Sequence, residues 1–288
     1  MMSRHSSSLP LALVEDLHVE FRGRHGVTKA VRGVSFQLGR EKLGLVGESG
    51  CGKSTVGRTL LRLVPHPGAV SARRLEIAGT DISALSESDM RHLRGWRIAM
   101  ILQDPRFSLN PVMAVGRQIA EAWRAHFGGF ESEATDRALT ALQSVGFREP
   151  ERIARAYPHQ LSGGEGQRAM IAMMLIGEPG VLIADEPTSS LDVTVRNQVL
   201  AVLDDQVRRR GMGLLFISHD LNLVASFCER ILVMYGGQIV ESIRSSEIAE
   251  ARHPYTRGLL QAQPRLDRVM AELPVVPRDP AWLNETPS

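Results

Sequence analysis

The string Gly47-Glu-Ser-Gly-Cys-Gly-Lys53-Ser54 constrains this chain more than any other feature, because it fits the pattern G-x4-G-K-[ST]. It follows a short apolar run, KLGLV from Lys42, and precedes a helical pattern over Lys53 to Val64. In that context the glycines let the backbone curl until successive N–H groups converge on an anion. The helix opening at Lys53 adds the positive end of its dipole. Lys53 is placed to reach the β- and γ-phosphates of a nucleotide, and the Ser54 hydroxyl to ligate magnesium. Gly47, Glu48, Ser49, Gly50, Cys51, Gly52 and Thr55 complete the expected cradle. Kinases, GTPases and helicases all use such a loop, so it fixes a nucleotide-binding α/β core and leaves the reaction open.

The remaining patterns fill in that core. Alternating stretches at Leu11 to Phe21 and Ala30 to Leu38 predict two antiparallel strands. Short apolar runs at Ile98 to Leu102, Val181 to Ala184, Leu214 to Ile217 and Ile231 to Met234 are mostly followed by helical patterns. Buried parallel strands with crossover helices are the economical reading. Between them, Val115 to Phe127, Glu133 to Val145 and Glu151 to Ala156 all read as helices, a helical insertion in an α/β fold.

A second constellation narrows the reaction. Leu161-Ser-Gly-Gly-Glu-Gly-Gln-Arg168 places Ser162 23 residues before Asp185. Ser162, Gly163 and Gly164 sit where bare amides at a helix start make another anion site. Val181-Leu-Ile-Ala-Asp185-Glu186-Pro187 is an apolar strand ending in two carboxylates. These strings resemble the signature and acidic motifs of ABC ATPases. The resemblance runs from about Leu11 to Glu241 in the family's order. It implies a P-loop NTPase core with a mostly parallel sheet, an N-terminal antiparallel β subdomain and an inserted α-helical subdomain at about 104–162.

The same resemblance assigns roles. Asp185 suits magnesium, and Glu186 is placed to orient or deprotonate the attacking water. Gln103, after Ile98-Ala-Met-Ile-Leu102, matches the family's Q-loop glutamine, which touches both magnesium and that water. His219, in Leu215-Phe-Ile-Ser-His-Asp220, matches the switch histidine that hydrogen-bonds the γ-phosphate. Asp192, in Ser189-Ser-Leu-Asp192, matches the D-loop, and equally reads as a helix N-cap. Phe21 is the candidate for stacking on adenine, and a core aromatic of the first strand is an equal reading. In the family, the Ser162–Gly164 half-site closes on the γ-phosphate held by a partner subunit, so that two chains sandwich two ATP molecules. The implied reaction is in-line phosphoryl transfer to water with ATP and Mg2+.

GESGCGKST, ILQDPRFSLNP from Ile101 to Pro111, ARAYPHQLSGG and HPYTRGLL from His253 to Leu260 resemble the dipeptide, oligopeptide and nickel importer branch. The implied protein powers an importer, di- and oligopeptides first, nickel or a metallophore as the alternative. The implied partners are integral membrane permease subunits and an extracytoplasmic substrate-binding protein. Arg168-Ala-Met-Ile-Ala-Met-Met resembles one of two non-identical ATPase subunits, so a heterodimer is favoured over a homodimer. Two departures stand out: Glu165-Gly166 replaces the Met-Arg or Gln-Arg usual in the branch, and no cysteine follows Cys228 to ligate the iron–sulfur cluster that many relatives carry.

Composition excludes other classes. The 288 residues carry a formal net charge of +2, which gives no electrostatic case for nucleic acid and counts against a soluble ABC ATPase working on nucleic acid or ribosomes. No apolar run approaches the ~20 residues needed to cross a bilayer, and the polar first ten residues lack the core of a signal peptide. The expected location is peripheral, on the cytoplasmic face of the membrane. Residues 1–10 and Pro274 to Ser288 read as loosely ordered ends, 11–252 as the ATPase domain and 253–288 as a short extension. Two cysteines make no disulfide framework. Cys51, beside Lys53 and a helix N-terminus, is expected to have a lowered pKa and nucleotide-protectable reactivity; Cys228 reads as buried and structural.

Overall fold

The alternating stretch that begins at Leu11 pairs with the next one as an antiparallel ladder, Ala12 opposite Leu38 and Gly23 opposite Gly26. These strands, β1 (Ala12–Gly23) and β2 (Gly26–Leu38), belong to a computed structural model that describes residues 9–23, 26–104, 108–189, 191–262 and 279–284. The chain forms two compact units. One contains the described residues up to Ser83 and those from Leu215 onward; the other is Ala84–Leu214.

The alternation in β1 is broken on purpose. Asp16 adopts a left-handed φ of 53°, and its amide bonds the Ser35 hydroxyl at 2.9 Å. This bulge returns Leu17 and Val19 to the core after Ala12, Leu13 and Val14. Next comes β3 (Lys42–Val46), buried at every position, and α1 (Lys53–Leu60). The predicted helix to Val64 stops early: Arg62 sits at φ 52°, and the amides of Leu61, Arg62 and Leu63 turn back on Arg58 and Thr59. The short strands β4 (Gly68–Ser71), β5 (Arg74–Ile77) and β6 (Thr80–Asp81) then extend the antiparallel sheet, β4 and β5 both pairing with β1. β4 is almost wholly exposed, so it carries little apolar alternation for a sequence reading to find.

The second unit starts with α2 (Glu87–Leu93) and β7 (Ile98–Ile101). Three helices follow, α3 (Val115–Phe127), α4 (Glu131–Ser144) and α5 (Pro150–Arg155), each within two residues of the predicted bounds. α3 buries Val115, Ile119 and Trp123, and α4 buries Ala134, Ala138 and Leu142, the i, i+4 spacings that put side chains on one face. α6 (Gly163–Leu175), β8 (Val181–Asp185) and α7 (Val193–Arg210) complete the unit. β7 and β8 are parallel, in the register Ile98–Val181 through Ile101–Ala184.

The chain then returns to the first unit through β9 (Gly213–Ser218), α8 (Leu221–Phe227), β10 (Arg230–Tyr235), β11 (Gln238–Arg244) and α9 (Pro254–Ala262). β10 runs parallel to β3 and antiparallel to β11. All of β3 and all but the first residue of β10 are buried, which explains their unbroken apolar runs. Each such Val, Leu or Ile side chain contributes about 1.5–3 kcal/mol by burial. Cys228 is buried among them, its thiol pushed far above the ordinary range by desolvation. Residues 279–284 form a further short turn of helix, Pro280–Asn284. The expected loose tail therefore does not include this segment, whose Trp282 packs on Tyr235; residues 1–8 and 285–288 lie outside the described residues.

Candidate functional site

In the first unit, the buried β3 delivers the chain into the phosphate loop and α1 leaves it. Gly52 makes the last turn at φ 107°; a side chain there would collide with the Ala30 carbonyl and press on Met234. Lys53 is only 5% exposed. Its ammonium lies inside the loop, donating to the carbonyls of Gly47 and Glu48, both at 2.8 Å, and to the Cys51 sulfur at 3.8 Å. Within the loop the Cys51 amide turns back on the Glu48 carbonyl at 3.3 Å, and the Lys53 amide bonds the Cys51 thiol. Ser49 and Gly50 are exposed, and Ser54 and Thr55 are half-buried on the first turn of α1.

The expectation for Cys51 is overturned. Its side chain is 8% exposed, and desolvation raises the thiol pKa from its ordinary value, outweighing the lowering by Lys53. A neighbouring lysine activates a thiol only where water reaches the thiolate. Phe21 is half-buried on β1, opposite Thr28 and Gly68, with its ring edge against Gly68. His219 is exposed just beyond β9, before α8, whose N-terminus Asp220 caps by accepting from the Leu223 amide at 3.0 Å.

The second unit brings together the residues at the ends of β7 and β8. The register that pairs Ile101 with Ala184 carries two residues further to Gln103 and Glu186, and the Gln103 amide nitrogen lies 3.4 Å from Glu186 Oε2. Asp185 is 6% exposed at the end of β8. Glu186 adopts a left-handed φ of 48°, a conformation that costs a non-glycine residue about 1–3 kcal/mol and concentrates at functional sites. The Ser189 amide and hydroxyl hold the Glu186 carbonyl at 3.3 and 3.2 Å. Pro105, Arg106, Phe107 and Ser190, in the motif strings above, lie outside the described residues.

Ser162 caps α6, and Glu165 turns that cap into a reciprocal box. The Ser162 hydroxyl accepts from the Glu165 amide at 3.3 Å, while Glu165 Oε2 accepts from the Ser162 amide at 3.0 Å. Glu165 Oε1 pairs with Arg152 at 2.6 Å. The Ser162 amide first, then Arg152, hold the Glu165 carboxyl below its usual range, against partial desolvation. Gly166 is buried within α6 and its amide makes the first helical bond, to Ser162, at 2.8 Å. Asp192 caps α7, accepting from the amides of Thr194 and Val195 at 3.0 Å each. A side chain at Gly164 would collide with Val195, so the starts of α6 and α7 touch.

Sequence reasoning missed three partners: the Gln103–Glu186 contact, the Arg152–Glu165 pair, and the Tyr255 hydroxyl, which accepts from the Glu48 amide of the phosphate loop at 3.0 Å. Gln103, Glu186, Glu165 and Tyr255 each lie in a string the sequence singles out, but none of these pairings is written there.

Comparisons with known proteins give the family. The family model described as ABC transporter matches residues 31–189. The probable peptide ABC transporter ATP-binding protein y4tR of Sinorhizobium fredii is 47% identical over 268 residues, 92% of this chain and 80% of that protein. The dipeptide transport ATP-binding protein DppD of Haemophilus influenzae is 47% identical over 253 residues, 87% of this chain and 77% of that protein. Among solved structures, the dimeric bacterial ABC transporter cassette MJ0796 superposes with a TM-score of 0.70 at 25% identity, covering 81% of this chain and 98% of that one.

Proposed function

Because the chain belongs to the ABC transporter family of ATP-hydrolysing subunits, we propose that it powers import of di- and oligopeptides. The observation that carries this reading is near-full-length identity to two peptide-transport ATP-binding proteins. Among the described residues no helix is long and apolar enough to cross a membrane, so the pore belongs to other chains. On this reading the subunit works at the cytoplasmic face against integral permease subunits, docking through the helical subdomain at about 104–162. It pairs with a second, non-identical ATPase subunit, and an extracytoplasmic binding protein supplies the peptide.

The residue roles are those the family resemblance implies. The amides of the phosphate loop and Lys53 hold the triphosphate, and Phe21 lies against the base. Glu186 takes the proton of the attacking water, Gln103 orients that water, and His219 bonds the γ-phosphate. Ser162, Gly163 and Gly164, with Asp192, close on the nucleotide of the paired subunit. Magnesium takes hard oxygen donors, and the family resemblance gives that role to Ser54, Gln103 and Asp185, which would hold it. Bound there, it would neutralise charge on the phosphate oxygens.

The test is reconstitution with the permease and binding-protein genes that neighbour this one. ATP hydrolysis in proteoliposomes should rise when the binding protein is loaded with di- or oligopeptides. Stimulation by a nickel complex and by no peptide overturns the substrate assignment.

A further inference from the structure

The helix that starts at the HPYT string is built into the first unit by polar and aromatic contacts. Glu241 on β11, 2% exposed, accepts through Oε1 from the amides of Arg252 at 2.7 Å and His253 at 3.3 Å, which fixes the chain leading into α9. His253 Nδ1 accepts from the Tyr255 amide at 3.2 Å, so Nε2 carries the proton and donates to the Trp282 carbonyl at 3.2 Å. The Tyr255 ring is fully buried, 4.5 Å from Tyr235 and 5.8 Å from Trp282 between centroids. The Tyr235 hydroxyl donates to the Asp279 carbonyl at 3.3 Å. Tail, helix and strand end thus form one aromatic cluster.

That cluster reaches the phosphate loop at the Gly47–Glu48 peptide group. The carbonyl of Gly47 and the amide of Glu48 belong to the same plane. Lys53 donates to the carbonyl at 2.8 Å, and the Tyr255 oxygen accepts from the amide at 3.0 Å. Rotation of this plane would break both bonds at once, so Tyr255 also fixes where the Lys53 ammonium rests. When a phosphate draws Lys53 away, the Tyr255 bond is the one that still holds the plane. Burial pushes the Tyr255 hydroxyl well above the ordinary phenol range, so it stays neutral and able to accept. The Glu48 amide is correspondingly spent on Tyr255, which makes it the fixed foot of the loop.

We propose that Tyr255 is a positioning residue for ATP, clamping the Gly47–Glu48 peptide so that the packing of the C-terminal segment sets nucleotide affinity. The inference rests on ATP binding at the phosphate loop and adds a residue outside its motifs. Without the hydroxyl, the loop populates conformations that bind poorly, and apparent affinity falls by the fraction lost.

The experiment is nucleotide binding by the full-length protein, using a fluorescent ATP analogue, alongside steady-state hydrolysis. Tyr255→Phe keeps the ring and removes the acceptor. It should weaken analogue binding about three- to tenfold, the size of one lost hydrogen bond, and raise KM with kcat at saturating ATP nearly unchanged. Trp282→Ala, which loosens the ring and keeps the hydroxyl, should shift affinity the same way by less. Unchanged affinity in a folded Tyr255→Phe variant overturns the proposal, and so does unchanged affinity in Trp282→Ala should the first variant fail to fold. Lys53→Ala separates the two readings: if it binds the analogue like the parent, the ATP site itself is misassigned.

Discussion

The side-chain amide of Gln103 lies 3.4 Å from the carboxylate of Glu186, 83 residues away in sequence, at the ends of two paired parallel strands. A neutral donor beside a carboxylate holds its orientation without adding charge. The left-handed backbone of Glu186 turns that carboxylate out of the strand direction at some energetic cost.

Glu186→Gln removes the proton acceptor and keeps the shape. Turnover should fall by about 10²–10⁴-fold, the usual size of a general-base contribution, with ATP affinity retained. With the paired ATPase subunit present, ATP should then accumulate a dimer that hydrolysis no longer dissolves. Size-exclusion chromatography with and without ATP, together with phosphate release, checks both halves. Hydrolysis at the parental rate would remove Glu186 as the base.

Gly164→Ala places a methyl group against Val195 Cγ1 at the junction of α6 and α7. Overpacking of this kind costs roughly 1–3 kcal/mol. The melting temperature should drop by several degrees and ATPase activity by more than tenfold, since Ser162 and Asp192 cap the two displaced helix starts. A thermal melt matching the parent would mean the two starts do not pack as described.

Glu165 makes a pH-dependent contribution with a definite sign. Its carboxyl is held below the usual glutamate range by the Ser162 amide and Arg152. The stability it adds is therefore complete above about pH 4.5, the ordinary glutamate value, and disappears as pH falls through its lowered value. Glu165→Gln keeps the capping-box acceptor and loses the charge. It should be less stable than the parent at pH 7, by about 1 kcal/mol or less because the Arg152 pair is solvent-screened. Melting curves of the two proteins should converge below that pH; a gap that persists in acid would point to packing instead of charge.

The legible part of this protein is the part written in apolar runs and glycines. β3, β7, β8, β9 and β10 are buried almost throughout, so their sequences could hardly be anything else, and the helices α3 to α5 follow from spacing alone. β4 and β6 were invisible because they are short and exposed, held by pairing to β1 and β5 and not by an apolar face. At the candidate site, strand ends located Gln103 and Glu186 separately, but their meeting depends on register, which a single sequence does not state. Tyr255 was hidden for a similar reason: its partner is a backbone amide 207 residues away, and a backbone amide has no sequence signature.

Cys51 shows how a correct local argument can be reversed by burial. Lysine and a helix N-terminus both favour a thiolate, yet the side chain is sealed in the loop, and desolvation raises its pKa from the ordinary 9.0. Because only the thiolate reacts, the native protein should take up iodoacetamide slowly at pH 7.4. Cys228, more deeply buried and without a lysine bonded to its thiol, should be the slower of the two sites. The rate should still be climbing as pH passes the ordinary thiol value of 9.0, since burial raises the Cys51 thiol above it. In denaturant both cysteines should label at the ordinary thiol rate. Peptide mass spectrometry distinguishes the two sites. Rapid, nucleotide-sensitive labelling of Cys51 at neutral pH would mean that water reaches the loop and that the Lys53 field outweighs burial.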